Sequence, residues 1–221
     1  MTGLSRRGLI LAAAAAAVAG PALSDDKTVP LAKVFPFLES YLKLPAAERT
    51  RFTMGYYLTL GGKPAASARA WIVEGGVRTP LPVGPDGRIN RLPTLAQLKN
   101  KAELALDAPP GSKFGISLNV EPVARPALEL DAQDLARAVA QAAVGAKSAA
   151  GLLGFVVPKM ERVYFNKAKG ATVIYADGRR APLPLFQKKV PVFDPADHKG
   201  AKTIVFTQAP VQMSIGPAKK G

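Results

Sequence analysis

His198 is the one histidine of the chain, and it stands in Asp194-Pro195-Ala196-Asp197-His198-Lys199-Gly200. Two carboxylates and an imidazole this close together are donors that a divalent cation can take. The same run is also the composition of a turn between strands, with Lys199 and Lys202 adding positive charge beside it. We adopt the turn, and expect no metal site and no cofactor. A Ser-His-Asp triad would have to use His198 as well. No Gly-x-Ser-x-Gly elbow marks a nucleophile, and Ser112 and Ser117 lie near glycines without that pattern. Paired carboxylates can cut glycosidic bonds. Glu74 and Glu121, in or beside strands, are the acids least explained by turns and helix starts, and edge-strand solvation accounts for them. Gly75-Gly76 and Gly84-Pro85-Asp86-Gly87 fall between strands and do not open a helix, as phosphate loops must. With no cysteine, thiol catalysis and thiolate metal centres are excluded. No catalytic residue is assigned.

The aromatic residues cluster more than the charges do. Tyr56, Tyr57 and Trp71 fall on two neighbouring strands, with Arg51 and Arg69 interspersed. Alternation puts Trp71 on one face with Arg69 and Val73, and Tyr57 with Arg51 and Thr59. An aromatic ring beside a guanidinium on a sheet surface can anchor a sugar, an acidic polymer or a partner protein. Tyr57, Arg69 and Trp71 are therefore the candidate ligand- or partner-binding residues, with core packing as the competing reading.

The elements that must hold these residues follow from hydrophobic period. Leu31, Val34, Phe35, Leu38, Tyr41 and Leu42 recur at helical spacing, predicting a helix over 31–44 that Pro36 delays or kinks and Pro45 stops. The period then becomes two: Phe52, Met54, Tyr56, Leu58 and Leu60 form one side of a strand. Strands follow over 68–74 and 77–83, joined at Gly75-Gly76. Thr94 caps a short helix to Lys99, and strands return over 103–106 and 114–120. Asp131 then caps the helix of the second half, with Leu135, Val139, Ala142 and Ala146 as its apolar stripe. Five more strands are expected, over 162–166, 171–176, 190–193, 203–207 and 211–215, with Asp177-Gly178 as a hairpin turn.

The two halves echo each other. Ile72-Val73-Glu74-Gly75-Gly76-Val77-Arg78-Thr79-Pro80-Leu81-Pro82-Val83 returns 102 residues later as Ile174-Tyr175-Ala176-Asp177-Gly178-Arg179-Arg180-Ala181-Pro182-Leu183-Pro184-Leu185. The fold expected is α+β: two tandem units, read as duplicated, each a helix packed on an antiparallel sheet. They span 25–126 and 127–216, followed by a disordered tail over 217–221. Chance similarity of glycine turns and prolines is the rival reading.

Residues 1–24 have the form of a cleavable signal peptide. Arg6 and Arg7 precede an apolar run from Leu9 to Ala19, too short to span a bilayer, and Pro21 breaks it. Cleavage is placed between Ser24 and Asp25. Ser5-Arg6-Arg7-Gly8-Leu9 resembles a twin-arginine signal, and the general secretory route stays open. The whole chain carries 30 Lys and Arg against 16 Asp and Glu, a net charge of +14. Without Arg6 and Arg7 the count is 28 against 16. Such a balance favours anionic partners and peripheral contact with a membrane surface. The basic residues are scattered and lack a run interleaved with aromatics, so nucleic acid is not an expected partner.

The segment Ala149-Ala150-Gly151-Leu152-Leu153-Gly154-Phe155-Val156-Val157-Pro158-Lys159, running on to Val163-Tyr164-Phe165, resembles one found in uncharacterised exported bacterial proteins. The likeness covers a small part of the chain and implies export with an unknown role. The function expected is a non-catalytic binding protein of the bacterial periplasm, recognising a partner protein or an anionic envelope component. The alternatives are a carrier of a lipid or small apolar ligand, and a hydrolase acting on the envelope.

Overall fold

The structure, a computed structural model, describes residues 28–218 apart from 67, 108–111 and 154–157. The expected cleavage point at Ser24 and Asp25 therefore lies outside the described residues, as does part of the segment that resembles exported proteins. Two compact units share the chain: residues up to Glu39 with Gly55–Leu118, and Ser40–Met54 with Asn119–Gly221.

Unit 1 opens with strand β1 (Thr28–Pro30), which runs directly into helix α1 (Leu31–Val34). The single helix expected over 31–44 does not form. Pro36 lacks an amide hydrogen and pushes the residue before it out of the helical region. Phe35 accordingly sits at φ −115° and ψ 68°, and Phe37 at φ 64°. The helix resumes only as α2 (Leu38–Lys43). Four and six residues are too few to cover a sheet.

Next come β2 (Phe52–Leu60), β3 (Lys63–Pro64), β4 (Arg69–Glu74), β5 (Val77–Pro80), α3 (Leu95–Lys99), β6 (Glu103–Asp107) and β7 (Phe114–Pro122). β1, β6, β4 and β5 make a four-stranded antiparallel sheet in that order. At its centre Ile72 lies opposite Leu104 on one side and Thr79 on the other. Gly75 and Gly76 both take positive φ, the backbone a two-residue hairpin turn demands. Thr94 and Gln97 cap α3 reciprocally, each side chain bonded to the other's backbone amide.

Unit 2 carries β8 (Glu129–Asp131), α4 (Ala132–Leu153), β9 (Arg162–Asn166), β10 (Thr172–Tyr175), β11 (Arg180–Pro182), β12 (Leu185–Phe186), β13 (Val190–Phe193), β14 (Ala201–Val205) and β15 (Gln212–Gly216). The amide of Asp134 donates to Asp131 Oδ1 at 2.8 Å, capping the one long helix. Leu135, Ala138, Val139 and Ala142 form its buried stripe, in one core with Val163, Phe165, Phe193 and Ile204. Small side chains let the helix come close to its neighbours: a Cβ on Gly145 would stand 2.9 Å from the Phe52 ring. β8, β14, β10 and β11 form a second four-stranded sheet, and β12, β13, β9 and β15 lead on to residues 119–122 of β7. The strands of both four-stranded sheets are used in the same order along the chain: first, fourth, second, third.

Among the described residues strands hold about twice as many residues as helices, and all three sheets are antiparallel. The protein is therefore β-rich, which corrects the balanced α+β pair of helix-on-sheet units expected from the sequence. Pro36 is the physical reason, because it leaves the described residues of unit 1 without a helix of useful length.

Candidate functional site

β4 has two different faces. Ala70 and Ile72 are buried, whereas Arg69 is exposed and Trp71 and Val73 are half-buried on the opposite side. The register sets their neighbours: Asp107 beside Arg69, Ala105 and Pro80 on either side of Trp71, and Glu103 and Arg78 on either side of Val73. Arg69 Nη2 pairs with Asp107 Oδ2 at 2.7 Å. The Arg78 guanidinium stands 5.8 Å from the centre of the Trp71 ring, within cation–π range. The outcome is a solvent-facing patch of one large aromatic ring among charges of both signs.

Tyr57 does not join this patch. It lies on β2 and is only 8% exposed. Its hydroxyl accepts a hydrogen bond from Arg88 Nη1 at 2.8 Å, and the same guanidinium lies over its ring. Alternation put Tyr57 on an open face, but β2 is buried on both faces from Met54 to Leu58. Arg69 and Trp71 are thus brought together, and Tyr57 is placed apart from them as a packed residue.

The polar loop after β13 is built around Asp194, which is 9% exposed. Its Oδ2 accepts from Arg162 Nε at 2.6 Å and its Oδ1 from the Ala196 amide at 2.9 Å. The amides of Asp197 and His198 both donate to its carbonyl oxygen. Bonding to Asp194 raises the already high pKa of Arg162 further. His198 stacks on the Phe193 ring at 5.8 Å, and its Nδ1 lies 2.8 Å from the Tyr175 hydroxyl. The run that could have bound a cation is therefore a hydrogen-bonded turn. Among the described residues no three His, Asp or Glu side chains converge to hold a metal ion.

A cavity of about 350 Å³ opens beside this loop, between Ala136, Val139 and Ala140 of α4 and the Arg162–Asp194 pair. Phe35, Leu38, Met54 and Leu58 are all buried and line neither this cavity nor the smaller one beside it. Glu74 accepts from Asn100 Nδ2 at 2.8 Å. Glu121 is buried and accepts from Gln212 Nε2 at 3.3 Å. Neither acid lines a cavity described here. No helix among the described residues is long and apolar enough to cross a membrane.

Comparison with protein-family models, with curated proteins and with solved structures finds no match to this chain. The functional reading consequently rests on the residues themselves.

Proposed function

We propose that the chain is an exported, non-catalytic binding protein of the bacterial periplasm. In this reading the contact surface is the outer face of the β1-β6-β4-β5 sheet, centred on Trp71. The observation that carries the reading is the half-buried Trp71 ring, flanked by Arg69 and Arg78 on a face whose other side is core. A tryptophan with two rotatable bonds brings a large contact area at small entropic cost, and such rings dominate interface energetics. Arg69, Arg78, Glu103 and Asp107 give the face both signs of charge, which suits a protein partner better than a uniformly anionic polymer. The Arg6-Arg7 leader with its short apolar run supports export.

Affinity capture from envelope extract, run with the wild-type chain and with Trp71→Ala, tests this reading. A discrete protein retained at moderate salt by the wild type and lost with Trp71→Ala is the expected result. Identical retention by both would remove the Trp71 face from the account.

A further inference from the structure

Three connecting segments of unit 2 meet at one end of its strands. Tyr164 of β9 pairs with Val192 of β13, and Asn166 of β9 pairs with Gln212 of β15. The residues following β9, those preceding β13 and those preceding β15 therefore emerge side by side. They are Lys167-Ala168-Lys169-Gly170-Ala171, Gln187-Lys188-Lys189 and Thr207-Gln208-Ala209-Pro210-Val211. The three segments hold four lysines and no Asp or Glu. All four lysines are exposed, and none makes an ion pair among the described residues.

Backbone bonds fix the arrangement. The amides of Thr207 and Gln208 donate to Lys169 O, the Val211 amide donates to Asn166 O, and Gln208 Nε2 donates to Lys167 O. Lys167 and Lys188 sit at φ 61° and 55°, a left-handed conformation that glycine adopts more cheaply. Glu121 is buried and bonded to Gln212, and Glu129 lies opposite Val205 on the neighbouring sheet. Two large aliphatic side chains stand out beside the lysines, Val211 at 64% and Leu185 at 53% exposure.

We infer that this end of unit 2 docks on an anionic lipid bilayer. The lysines meet headgroup phosphates, and Val211 and Leu185 enter the interfacial layer. Charge complementarity carries the choice of an anionic surface. The exposed aliphatic side chains carry the choice of a bilayer, because a dissolved polyanion offers them no apolar phase. The inference stands on residues distinct from the Trp71 face, and either can fail alone.

The test is sedimentation of the full chain with vesicles of equimolar phosphatidylglycerol and phosphatidylcholine, and with vesicles of phosphatidylcholine alone. Wild type and variants share the same N-terminal apolar run, so differences between them report this end of the molecule. Binding to the anionic vesicles is expected to fall as salt rises. Each lysine lost is expected to weaken it about five-fold at low salt. Together Lys167→Gln, Lys169→Gln, Lys188→Gln and Lys189→Gln are expected to weaken it by roughly six hundred-fold, with an unchanged circular dichroism spectrum. Val211→Ser with Leu185→Ser should lower the part of binding that survives salt relative to wild type. Equal binding of wild type and the four-lysine variant overturns the inference. So does equal binding to both vesicle types, or binding to soluble polyphosphate without binding to vesicles.

Discussion

Leu81 and Leu183 hold the same position, immediately after the edge strands β5 and β11 of two different sheets. Each is flanked by prolines, so its amide is the only donor in a three-residue run, and each amide is turned inward: Leu81 to the Ala70 carbonyl at 2.8 Å, Leu183 to the Ala171 carbonyl at 2.9 Å. The carbonyl after each leucine is matched as well, Pro82 accepting from Asn90 and Pro184 from Val192, both at 2.9 Å. Leu81 is 2% exposed and Leu183 4%. The paired prolines hold the backbone extended while the leucine side chain fills the core. Leu81→Ala and Leu183→Ala should each destabilise the fold by about 2–5 kcal/mol, read from urea denaturation midpoints. A loss below about 1 kcal/mol in either would show that the site collapses around the smaller residue.

One hydroxyl bonds to the backbone at the break between α1 and α2. Tyr56 is fully buried, and its hydroxyl donates to the Pro36 carbonyl at 2.5 Å. Burial pushes its phenol well above the usual tyrosine range. The ring also meets Phe35 edge-on, with centroids 5.0 Å apart. Tyr56→Phe keeps the ring and strands the carbonyl, so a loss of about 1–3 kcal/mol is expected. Thermal denaturation of the variant measures it.

The first turn of α4 carries a titratable carboxylate. Asp134 Oδ1 accepts from Arg137 Nη2 and from Arg51 Nη1, both at 2.6 Å. The Arg137 hydrogen bond, followed by the charges of Arg137 and Arg51, holds the Asp134 carboxyl below the usual aspartate range. A carboxyl with a depressed folded pKa contributes stability above its unfolded pKa, and that contribution is lost as pH falls through the folded value. Arg137→Gln should move the Asp134 titration up, toward ordinary aspartate, with Arg51→Gln acting in the same direction. Carboxyl carbon shifts followed by NMR across the acid range check both. An unmoved titration in Arg137→Gln would show that the pair is broken in solution.

The strands were the legible part of this fold. Alternating side chains at Phe52–Leu60 and Phe114–Val120 mark two of them, and both segments are strands, although β2 is buried on both faces over Met54–Leu58 and β7 is half-buried throughout Phe114–Val120. The same period misleads at Tyr57, since β2 is covered on both faces over Met54–Leu58 and period two then carries no direction. The helical stripe over 31–44 was equally persuasive. Pro36 lay in plain view within it, yet the stripe alone does not say that four and six residues are all that survive. Trp71 and Arg69 were legible as neighbours because β4 does alternate. The lysine-rich end was not legible, since the segments carrying Lys167 and Lys189 come to the same end only through the β9–β13 register, which composition does not encode.

In the proposed function the outer face of β4 touches a partner. A photoreactive amino acid placed at Val73, beside Trp71 on the same face, tests it in living cells, with the exposed Val144 of α4 as the control position. A discrete crosslinked adduct at position 73, absent at 144 and abolished by Trp71→Ala, is the predicted result. No adduct at 73, or the same pattern from both positions, would contradict it.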